Sequence, residues 1–242
     1  MLNLQNLCFS SDNRQIIDDL SFSFQKGKFY AITGPNGSGK TTLSKLIMGI
    51  HKSTSGRIIF DGQDITGYSV TERAKAGIAY AFQHPARFKG ITLRDLLNIA
   101  LGKDHKSDMR DIVEKIGICS FEFLDKQVDS KLSGGEIKKI EMATTIALNP
   151  KLVMYDEPDT GIDLWTIDPM VNLLKREQAE KGTTTIVISH NRTFLEAADT
   201  VILIKSGKIA YQGDTRGALP MLNDLSICNQ NCKVHENDGC FR

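Results

Sequence analysis

Residues 34–42 read GPNGSGKTT, and this stretch decides the fold of the chain. It matches the pattern G-x-x-x-x-G-K-[ST] at Gly34, Gly39, Lys40 and Thr41. An apolar run, FYAIT, precedes it, and a run with helical periodicity, KTTLSKLIMGI, follows it. A strand, a glycine-rich turn and a helix in this order gather backbone amides and a helix N-terminus around phosphate oxygens. The stretch therefore predicts a nucleotide phosphate-binding loop in an α/β fold.

Every residue of this loop is a candidate for contact with the phosphates. The set is Gly34, Pro35, Asn36, Gly37, Ser38, Gly39, Lys40, Thr41 and Thr42. We expect Lys40 to reach the β- and γ-phosphates. We expect Thr41 to place its hydroxyl on Mg²⁺, because this hard cation prefers oxygen ligands and shares substrate phosphates with one or two protein groups. The alternative, a glycine-rich turn with a chance lysine, leaves the flanking strand and helix unexplained.

Beyond this loop, short apolar runs alternate with longer amphipathic runs, which is typical of βα units on a mainly parallel sheet. The candidate strands are residues 28–33, 77–82, 152–155, 184–189 and 201–205. The candidate helices are residues 40–50, 136–147, 166–181 and 192–198. Between Gln83 and Ser133 the periodicity is helical, around residues 93–101 and 109–116. This change predicts a helical subdomain inserted into the sheet domain.

The predicted organisation of the 242 residues has three parts. A core comprises residues 1–83 and 132–225, a helical subdomain comprises residues 84–131, and a cysteine-bearing tail comprises residues 226–242. The chain has 30 Lys and Arg and 29 Asp and Glu, so its net charge is +1. A charge this small creates no overall electrostatic attraction for nucleic acid, so no nucleic-acid partner is expected.

Cysteine usage and hydropathy predict the compartment. Five cysteines at scattered positions do not form the framework of a disulfide-rich secreted domain, and the N-terminus lacks a basic region followed by an apolar run. The apolar runs are far shorter than the roughly 20 residues of a membrane-spanning helix. We therefore expect a reduced, cytoplasmic, soluble protein that meets a membrane only through a partner.

Four carboxylates follow the apolar strand LVMY, namely Asp156, Glu157, Asp159 and Asp163. Parallel α/β sheets bind ligands at the carboxyl ends of their strands. We expect Asp156 to approach Mg²⁺ and Glu157 to face the γ-phosphate, where a water must be oriented and must lose a proton. A calcium cage is an alternative, but the D-x-D-x-D-G spacing of an EF-hand is absent from the sequence. A solvated acidic turn is the other alternative.

A second glycine-rich helix start lies in residues 131–148, KLSGGEIKKIEMATTIAL. Ser133 is the predicted N-cap, and Gly134, Gly135 and Glu136 follow it. Such a terminus binds anions, yet the stretch has no phosphate of its own to bind. A phosphate held elsewhere would complete it.

Six motifs in order resemble those of the ABC-type ATPases over nearly the whole chain. GPNGSGKTT resembles the Walker A motif, Gln83 in AYAFQHP the Q-loop, and LSGGE the signature motif. LVMYDE resembles the Walker B motif, Asp163 the end of the D-loop, and His190 in VISHN the switch histidine. Phe9 matches the position of the aromatic residue that stacks on adenine in this family.

The resemblance implies the P-loop NTPase fold of the ABC ATPases, with a mainly parallel sheet core, an antiparallel β edge and an inserted helical subdomain. It implies hydrolysis of ATP with Mg²⁺ in a homodimer that forms head to tail when ATP binds. The signature helix of each subunit would cap the γ-phosphate held by the other, through Ser133, Gly134, Gly135 and Glu136.

The same resemblance implies roles for single residues. Glu157 would polarise the attacking water, His190 would contact the γ-phosphate, and Lys40 would complete the catalytic group with Gln83. The implied Mg²⁺ ligands are Thr41, Gln83 and Asp156. Gln83 would also link the site to a partner through the helical subdomain. Taken alone, His190 and Phe9 are more typical of structural residues than of nucleotide-binding ones, and only the order of the motifs favours the functional roles.

Two motifs bear on the class of partner. Transporter subunits usually carry LSGGQ and E-P-T-S-A-L-D, whereas this chain reads SGGEIKKIE and DEPDTGID, with Asp159 in place of the usual Thr. These departures, and the F-Q-x-P of Phe82, Gln83 and Pro85, resemble the SufC type of ABC ATPase, whose partner in iron–sulfur cluster assembly is a SufB/SufD scaffold. The short helical segment departs from that type.

The alternative is the ATP-binding subunit of a membrane ABC transporter, with a transmembrane permease as partner. In that interpretation the charged residues Glu136, Lys138, Lys139 and Glu141 merely occupy a solvated helix face.

The tail offers four soft metal ligands, Cys228, Cys232, His235 and Cys240. Zinc or an iron–sulfur cluster is a candidate occupant. Their spacing fits no standard zinc finger, so a reduced tail without metal is the alternative.

Overall fold

The computed structural model describes residues 1–83, 86, 88–102, 106–117, 121–129, 132–163 and 166–222. The strands are β1 (Leu2–Ser11), β2 (Arg14–Phe24), β3 (Phe29–Thr33), β4 (Ser55–Phe60), β5 (Gln63–Asp64), β6 (Ile78–Ala81), β7 (Leu152–Asp156), β8 (Thr184–Ile188), β9 (Thr200–Lys205) and β10 (Lys208–Gly213). The helices are α1 (Lys40–Met48), α2 (Val70–Ala76), α3 (Leu93–Leu101), α4 (Lys106–Lys115), α5 (Gly134–Ala147), α6 (Ile167–Lys181) and α7 (Arg192–Ala197), with a 3₁₀ helix at Phe121–Asp125.

The larger sheet has the strand order β10-β9-β3-β8-β7-β6. All of its pairings are parallel except that of β10 with β9 at one edge. Strands β3, β7 and β8 are buried along their whole length, and continuous apolar runs are typical of parallel strands covered on both faces. The predicted mainly parallel sheet with an antiparallel edge is confirmed.

The smaller sheet is antiparallel, with the order β2-β1-β4-β5. Its inner side chains, which include Leu4, Ile17 and Ile58, share a buried cluster with Leu43 and Ile47 of α1. The sheet therefore covers one side of the helix that follows the phosphate loop.

The sequence prediction found the elements of the parallel sheet and missed most of the others. The five candidate strands correspond to β3, β6, β7, β8 and β9, and the candidate helices to α1 and α5–α7. Strands β1, β2, β4 and β10 were not predicted, because mixed polar and apolar residues on a half-exposed sheet give a weaker signal. Helix α1 ends at Met48 rather than Ile50, because Gly49 adopts φ 80° and terminates it.

The described residues between Gln83 and Ser133 include the helices α3 and α4 and the 3₁₀ helix, which agrees with the predicted helical periodicity. The buried residues Leu93, Leu97 and Ile112 of this segment belong to the same apolar cluster as Ile140 of α5 and Val153 of β7. The helical segment therefore packs on α5 and, through it, on one face of the parallel sheet. A domain boundary at residues 84 and 131 stays a prediction. Of the helices that the structure describes, none combines the length and apolar character needed to cross a membrane.

Candidate nucleotide site

The phosphate loop connects the carboxyl end of β3 to the start of α1. Gly34 has φ 142°, and a Cβ there would lie 2.0 Å from the carbonyl oxygen of Ile204. Gly39 caps α1 with φ 105°, and a Cβ there would lie 2.8 Å from Cδ1 of Ile17. Both positions require glycine because the backbone approaches a neighbouring strand too closely for a side chain.

Lys40 is buried within this loop at 5% exposure. Its Nζ donates to the carbonyl oxygens of Gly34 at 2.7 Å and Pro35 at 2.9 Å. Burial lowers the pKa of Lys40, and the carboxylates Glu157 and Asp156 oppose this shift. Ser38 is also buried, and its Oγ has no hydrogen-bond partner among the described residues. A buried ammonium and an unpaired hydroxyl beside a helix N-terminus fit a bound phosphate group.

The Asp156 carboxylate lies beside the Thr41 hydroxyl, as predicted for a Mg²⁺ site. Asp156 is 1% exposed at the end of β7. Its Oδ1 accepts a hydrogen bond from Thr41 Oγ1 at 3.0 Å, and its Oδ2 accepts one from the Tyr80 hydroxyl at 2.6 Å. The adjacent hydroxyl and carboxylate are the hard oxygen ligands that Mg²⁺ prefers, so these residues fit the ion.

Tyr80 is a site residue that the sequence analysis missed. Burial and its hydrogen bond to Asp156 raise the pKa of Tyr80 far above its ordinary value, so the hydroxyl stays protonated and remains a donor. Tyr80 pairs with Met154 in the register of β6 and β7. The sequence did offer one indication of this role. Tyr80 lies three residues before Gln83, on a predicted strand of the same sheet as LVMYD.

Glu157 directly follows β7 and adopts a left-handed backbone conformation with φ 48°. Its N–H donates to the Ile188 carbonyl at 2.9 Å, and its Oε2 accepts hydrogen bonds from Gln83 Nε2 and from Thr160 Oγ1. A left-handed conformation at a residue with a side chain costs on the order of 1 kcal/mol or more and recurs at functional sites. Because of this backbone conformation, the two adjacent side chains point to different partners: Asp156 to Thr41 and Glu157 to Gln83.

His190 lies at the rim of the site after β8, where it is exposed. Its Nδ1 is 3.4 Å from Thr33 Oγ1. Partial desolvation and the nearby Lys40 ammonium lower the pKa of His190 below its ordinary value of 6.5, while Glu157 and Asp159 oppose this shift. The imidazole is therefore neutral at pH 7 and can donate a hydrogen bond.

These contacts bring the predicted catalytic residues to one place at the carboxyl ends of β3, β6, β7 and β8. Residues 17–160 also match the family described as ABC transporter. This chain belongs to the ABC transporter family. It is an ABC-type ATPase with the cassette fold, and it hydrolyses ATP.

The ATPase is 37% identical over 225 residues to an uncharacterized ABC transporter ATP-binding protein of Methanocaldococcus jannaschii, covering 89% of this chain and 90% of that protein. It is 34% identical to the intermembrane phospholipid transport system ATP-binding protein MlaF of Haemophilus influenzae, covering 94% of this chain and 88% of that protein.

A solved ATP-binding cassette of an ABC transporter in its ADP conformation superposes with a TM-score of 0.82 at 26% identity, covering 94% of this chain and 98% of that chain. A dimeric ATP-binding cassette bound to ADP and Pi superposes with a TM-score of 0.79 at 23% identity, covering 90% of this chain and 100% of that chain, and shares the fold.

The signature motif of the ATPase begins α5 in the predicted way. Ser133 is the N-cap, and its Oγ accepts the Glu136 N–H at 3.2 Å while the Glu136 carboxylate accepts the Ser133 N–H at 2.9 Å. A Cβ on Gly134 would lie 2.9 Å from the Gly161 carbonyl oxygen. Within the part of the chain that the structure describes, no hydrogen bond joins Ser133 or Glu136 to residues 34–42.

The interpretation of the charged signature helix as a solvated face is wrong for Lys138, which is 5% exposed. The Glu141 side chain is also largely buried, at 13%. Lys139 remains partly exposed. Two of the residues that differ from the usual transporter motif, Lys138 and Glu141, are therefore largely buried.

Phe9 stacks on His51 with 5.2 Å between ring centroids and 20° between planes. One face of the ring that is expected to contact adenine thus has an aromatic partner already. The adenine contact stays a prediction.

The candidate tail ligands Cys228, Cys232, His235 and Cys240 lie outside the described residues, as does Pro85. Across residues 1–222, with the gaps given above, no group of three or more His, Cys, Asp or Glu side chains could hold a metal. A metal in the tail stays a prediction.

Proposed function

We propose that this ATPase is the ATP-hydrolysing subunit of a membrane transport complex and that two copies share two MgATP molecules. The observation that carries the proposal is the convergence of Lys40, Asp156, Glu157 and His190 at one site. An apolar cleft adjoins this site through Tyr80, which lines the cleft and hydrogen-bonds Asp156. The names of the relatives, which are transporter ATP-binding proteins, support a membrane-embedded partner.

Each side chain has its own task in hydrolysis. Lys40 and the N–H groups at the start of α1 hold the phosphates. Thr41 and Asp156 would hold Mg²⁺, which would supply positive charge to balance that of the phosphates. Glu157 accepts the proton of the water that attacks the γ-phosphate. Neutral His190 donates a hydrogen bond to a γ-phosphate oxygen.

The second copy completes the site through the signature helix. The N-terminus of α5 is suited to an anion but makes no hydrogen bond to the phosphate loop of its own chain. In a head-to-tail dimer, Ser133 of each subunit would face the γ-phosphate held by the other. The dimeric cassette of the same fold supports this arrangement.

A mixture of two inactive variants tests the shared site. Lys40→Ala removes the phosphate lysine but keeps the signature motif, and Ser133→Arg does the opposite. A mixed dimer retains one complete site, so we expect hydrolysis by the mixture and by neither variant alone. A mixture that is as inactive as its components would refute the shared site.

The partner is expected in a cleft of about 200 Å³ beside Gln83. It is lined mainly by apolar side chains, including Tyr80, Phe82, Phe88 and Leu148. Phe82, Phe88 and Leu148 are 47%, 40% and 57% exposed, which is unusual for large apolar residues that lie together. A partner in this cleft would contact the chain within one residue of the Gln83 that hydrogen-bonds Glu157.

A SufC-type role with a SufB/SufD-like scaffold is the second candidate. It is favoured by one observation, the burial of Lys138 and Glu141 in the part of the signature motif that departs from the transporter pattern. In that case the cleft would dock a scaffold protein, and the ATPase would stay in the cytoplasm away from the membrane.

Co-expression with each candidate partner distinguishes the two roles. A transporter role predicts that Glu157→Gln protein with ATP sediments with membranes containing the permease, and that Phe88→Asp prevents this. A SufC-type role predicts a membrane-free complex with the scaffold. Binding of Phe88→Asp protein that equals the binding of the unaltered chain would refute the cleft as the docking site.

A further inference from the structure

Lys138 connects the signature helix to the Q-loop. Its side chain is 6% exposed, and its Nζ donates to the carbonyl oxygens of Phe82 at 3.2 Å and Gln83 at 3.1 Å. The third contact is with Glu141 Oε2 at 3.4 Å. An ammonium group has three N–H donors, so these three acceptors satisfy it.

Glu141 lies one turn further along α5, where its side chain is 13% exposed and its Oε2 is 3.4 Å from Lys138 Nζ. Burial raises the pKa of Glu141, and Lys138 opposes this shift. Lys138 therefore binds the Phe82 and Gln83 carbonyls, and Glu141 holds Lys138 in place. We call Lys138 and Glu141 the clamp.

The clamped backbone leads directly to the catalytic carboxylate. The Gln83 carbonyl is bound by Lys138, and the Gln83 side chain donates to Glu157. At the N-terminus of the same helix, Ser133 forms the N-cap. Helices are stiff on this scale, with a rise of about 1.5 Å per residue, so the clamp lies only one to two turns from the signature serine.

We propose that Lys138 and Glu141 are positioning residues that hold Gln83 against Glu157 and link this contact to the signature turn of the same subunit. The inference rests on the shared-site dimer proposed above. In that dimer the signature turn of a subunit lies at one ATP site, while its Gln83 and Glu157 lie at the other. The clamp would therefore connect the two sites through one subunit.

The test removes both charges together, because loss of one member of a buried ion pair leaves the other charge uncompensated. Lys138→Met with Glu141→Leu replaces the pair with apolar side chains of similar length. The matched control is Lys115→Met with Glu177→Leu, which removes another ion pair, at 3.2 Å, between α4 and α6. The second partners of these residues, Glu180 and Lys181, are 49% and 32% exposed, so water can solvate them when they lose their partners.

In the homodimer we expect the clamp variant to lower kcat about ten-fold or more while the KM for ATP stays within about two-fold, since the clamp touches no nucleotide group. The control should retain kcat. Thermal unfolding of both variants separates a loss of folding from a loss of positioning. An unchanged kcat in a folded clamp variant would overturn the proposal.

Mixed dimers locate the effect. When one subunit carries Lys40→Ala, the remaining site uses Glu157 of the other subunit and the signature motif of the Lys40→Ala subunit. We expect the larger loss of turnover when the clamp variant is in the subunit with intact Lys40, whose Glu157 serves the remaining site, and a smaller loss when it is in the Lys40→Ala subunit, which supplies only the signature turn. The reverse dependence, or no difference, would overturn the proposal.

Glu141→Gln provides a milder variant, because Gln keeps the length of the side chain and an acceptor for Lys138 but removes the negative charge that holds Lys138 in place. The same dependence on placement is expected with a smaller loss of turnover. Absence of ATP-dependent association in the unaltered chain would refute the dimer itself, which distinguishes that failure from failure of the clamp.

Discussion

Tyr80 donates a 2.6 Å hydrogen bond to Asp156, and this contact joins the strand that leads to Gln83 with the strand that carries the carboxylate proposed to bind Mg²⁺. Thr41 donates to the other oxygen of the same carboxylate at 3.0 Å. Both oxygens of Asp156 are thus oriented by hydroxyl groups from two other elements. Tyr80 also lines the apolar cleft described above, so one side chain connects this cleft to Asp156.

Tyr80→Phe removes this donor and leaves the ring in place. We expect the Mg²⁺ concentration that supports half-maximal hydrolysis to rise about ten-fold, because hydrogen bonds that orient a ligand commonly contribute this much to metal affinity. Titration of hydrolysis with Mg²⁺ measures it. Tyr211→Phe, which loses a hydroxyl bonded to the Asp214 carbonyl at 3.0 Å, is the control. Equal Mg²⁺ dependence in both variants would contradict the role of Tyr80.

Glu157→Gln keeps the size of the side chain and removes its basicity. We expect ATP binding to persist, kcat to fall about 10²- to 10⁴-fold, and an ATP-bound dimer to accumulate. Steady-state hydrolysis and size-exclusion chromatography with ATP measure the two effects. Hydrolysis at the rate of the unaltered protein would remove Glu157 from the mechanism.

Gly34→Ala is expected to abolish ATP binding and to destabilise the fold. The new Cβ would lie 2.0 Å from the Ile204 carbonyl oxygen, a backbone atom of β9 that cannot move alone. Gly67→Ala is the matched control, because a Cβ there meets nothing within 4 Å and its φ is not positive. Nucleotide binding and thermal unfolding report on both variants. Similar behaviour of the two would show that the loop has more room than the structure indicates.

Arg73 stabilises the fold rather than the chemistry. It is 2% exposed and donates to the carbonyl oxygens of Leu46, Ile47 and Thr66 at 2.7 to 2.9 Å, so it caps the end of α1. We expect Arg73→Met to lower the free energy of unfolding by about 3 kcal/mol, because buried carbonyl groups lose their donors. Urea denaturation measures it. The exposed Arg57→Met is the control, and an equal loss there would contradict the cap.

The pKa of His190 should respond in opposite directions to two nearby changes. Lys40→Met removes a cation that disfavours the imidazolium, so the pKa of His190 should rise toward 6.5. Glu157→Gln removes an anion that favours it, so the pKa should fall further. NMR titration of the imidazole measures both. If the pKa of His190 shifted in the same direction in both variants, the charges of Lys40 and Glu157 would not be what controls it.

The sequence predicted the nucleotide site far better than the surfaces around it. Lys40, Thr41, Asp156 and Glu157 belong to short motifs at the ends of strongly apolar strands, and the parallel sheet brings those ends together. The half-exposed strands β1, β2 and β4 were missed because their alternation of polar and apolar residues is irregular. Whether Gln83 meets Mg²⁺ or Glu157 depended on side-chain direction, and the structure places its amide on Glu157.

The sequence by itself determined the family and predicted the phosphate loop and the candidate catalytic carboxylates, because these depend on local spacing within a strand, a turn and a helix. Only the tertiary structure decided that Tyr80 orients Asp156 and that Lys138, paired with Glu141, binds the backbone of Phe82. These contacts join residues more than 50 positions apart. The physical reason is that the sequence shows which side chains carry a charge or a hydroxyl but not what surrounds them. Only the packing of the chain decides whether such a group faces water or a buried carbonyl.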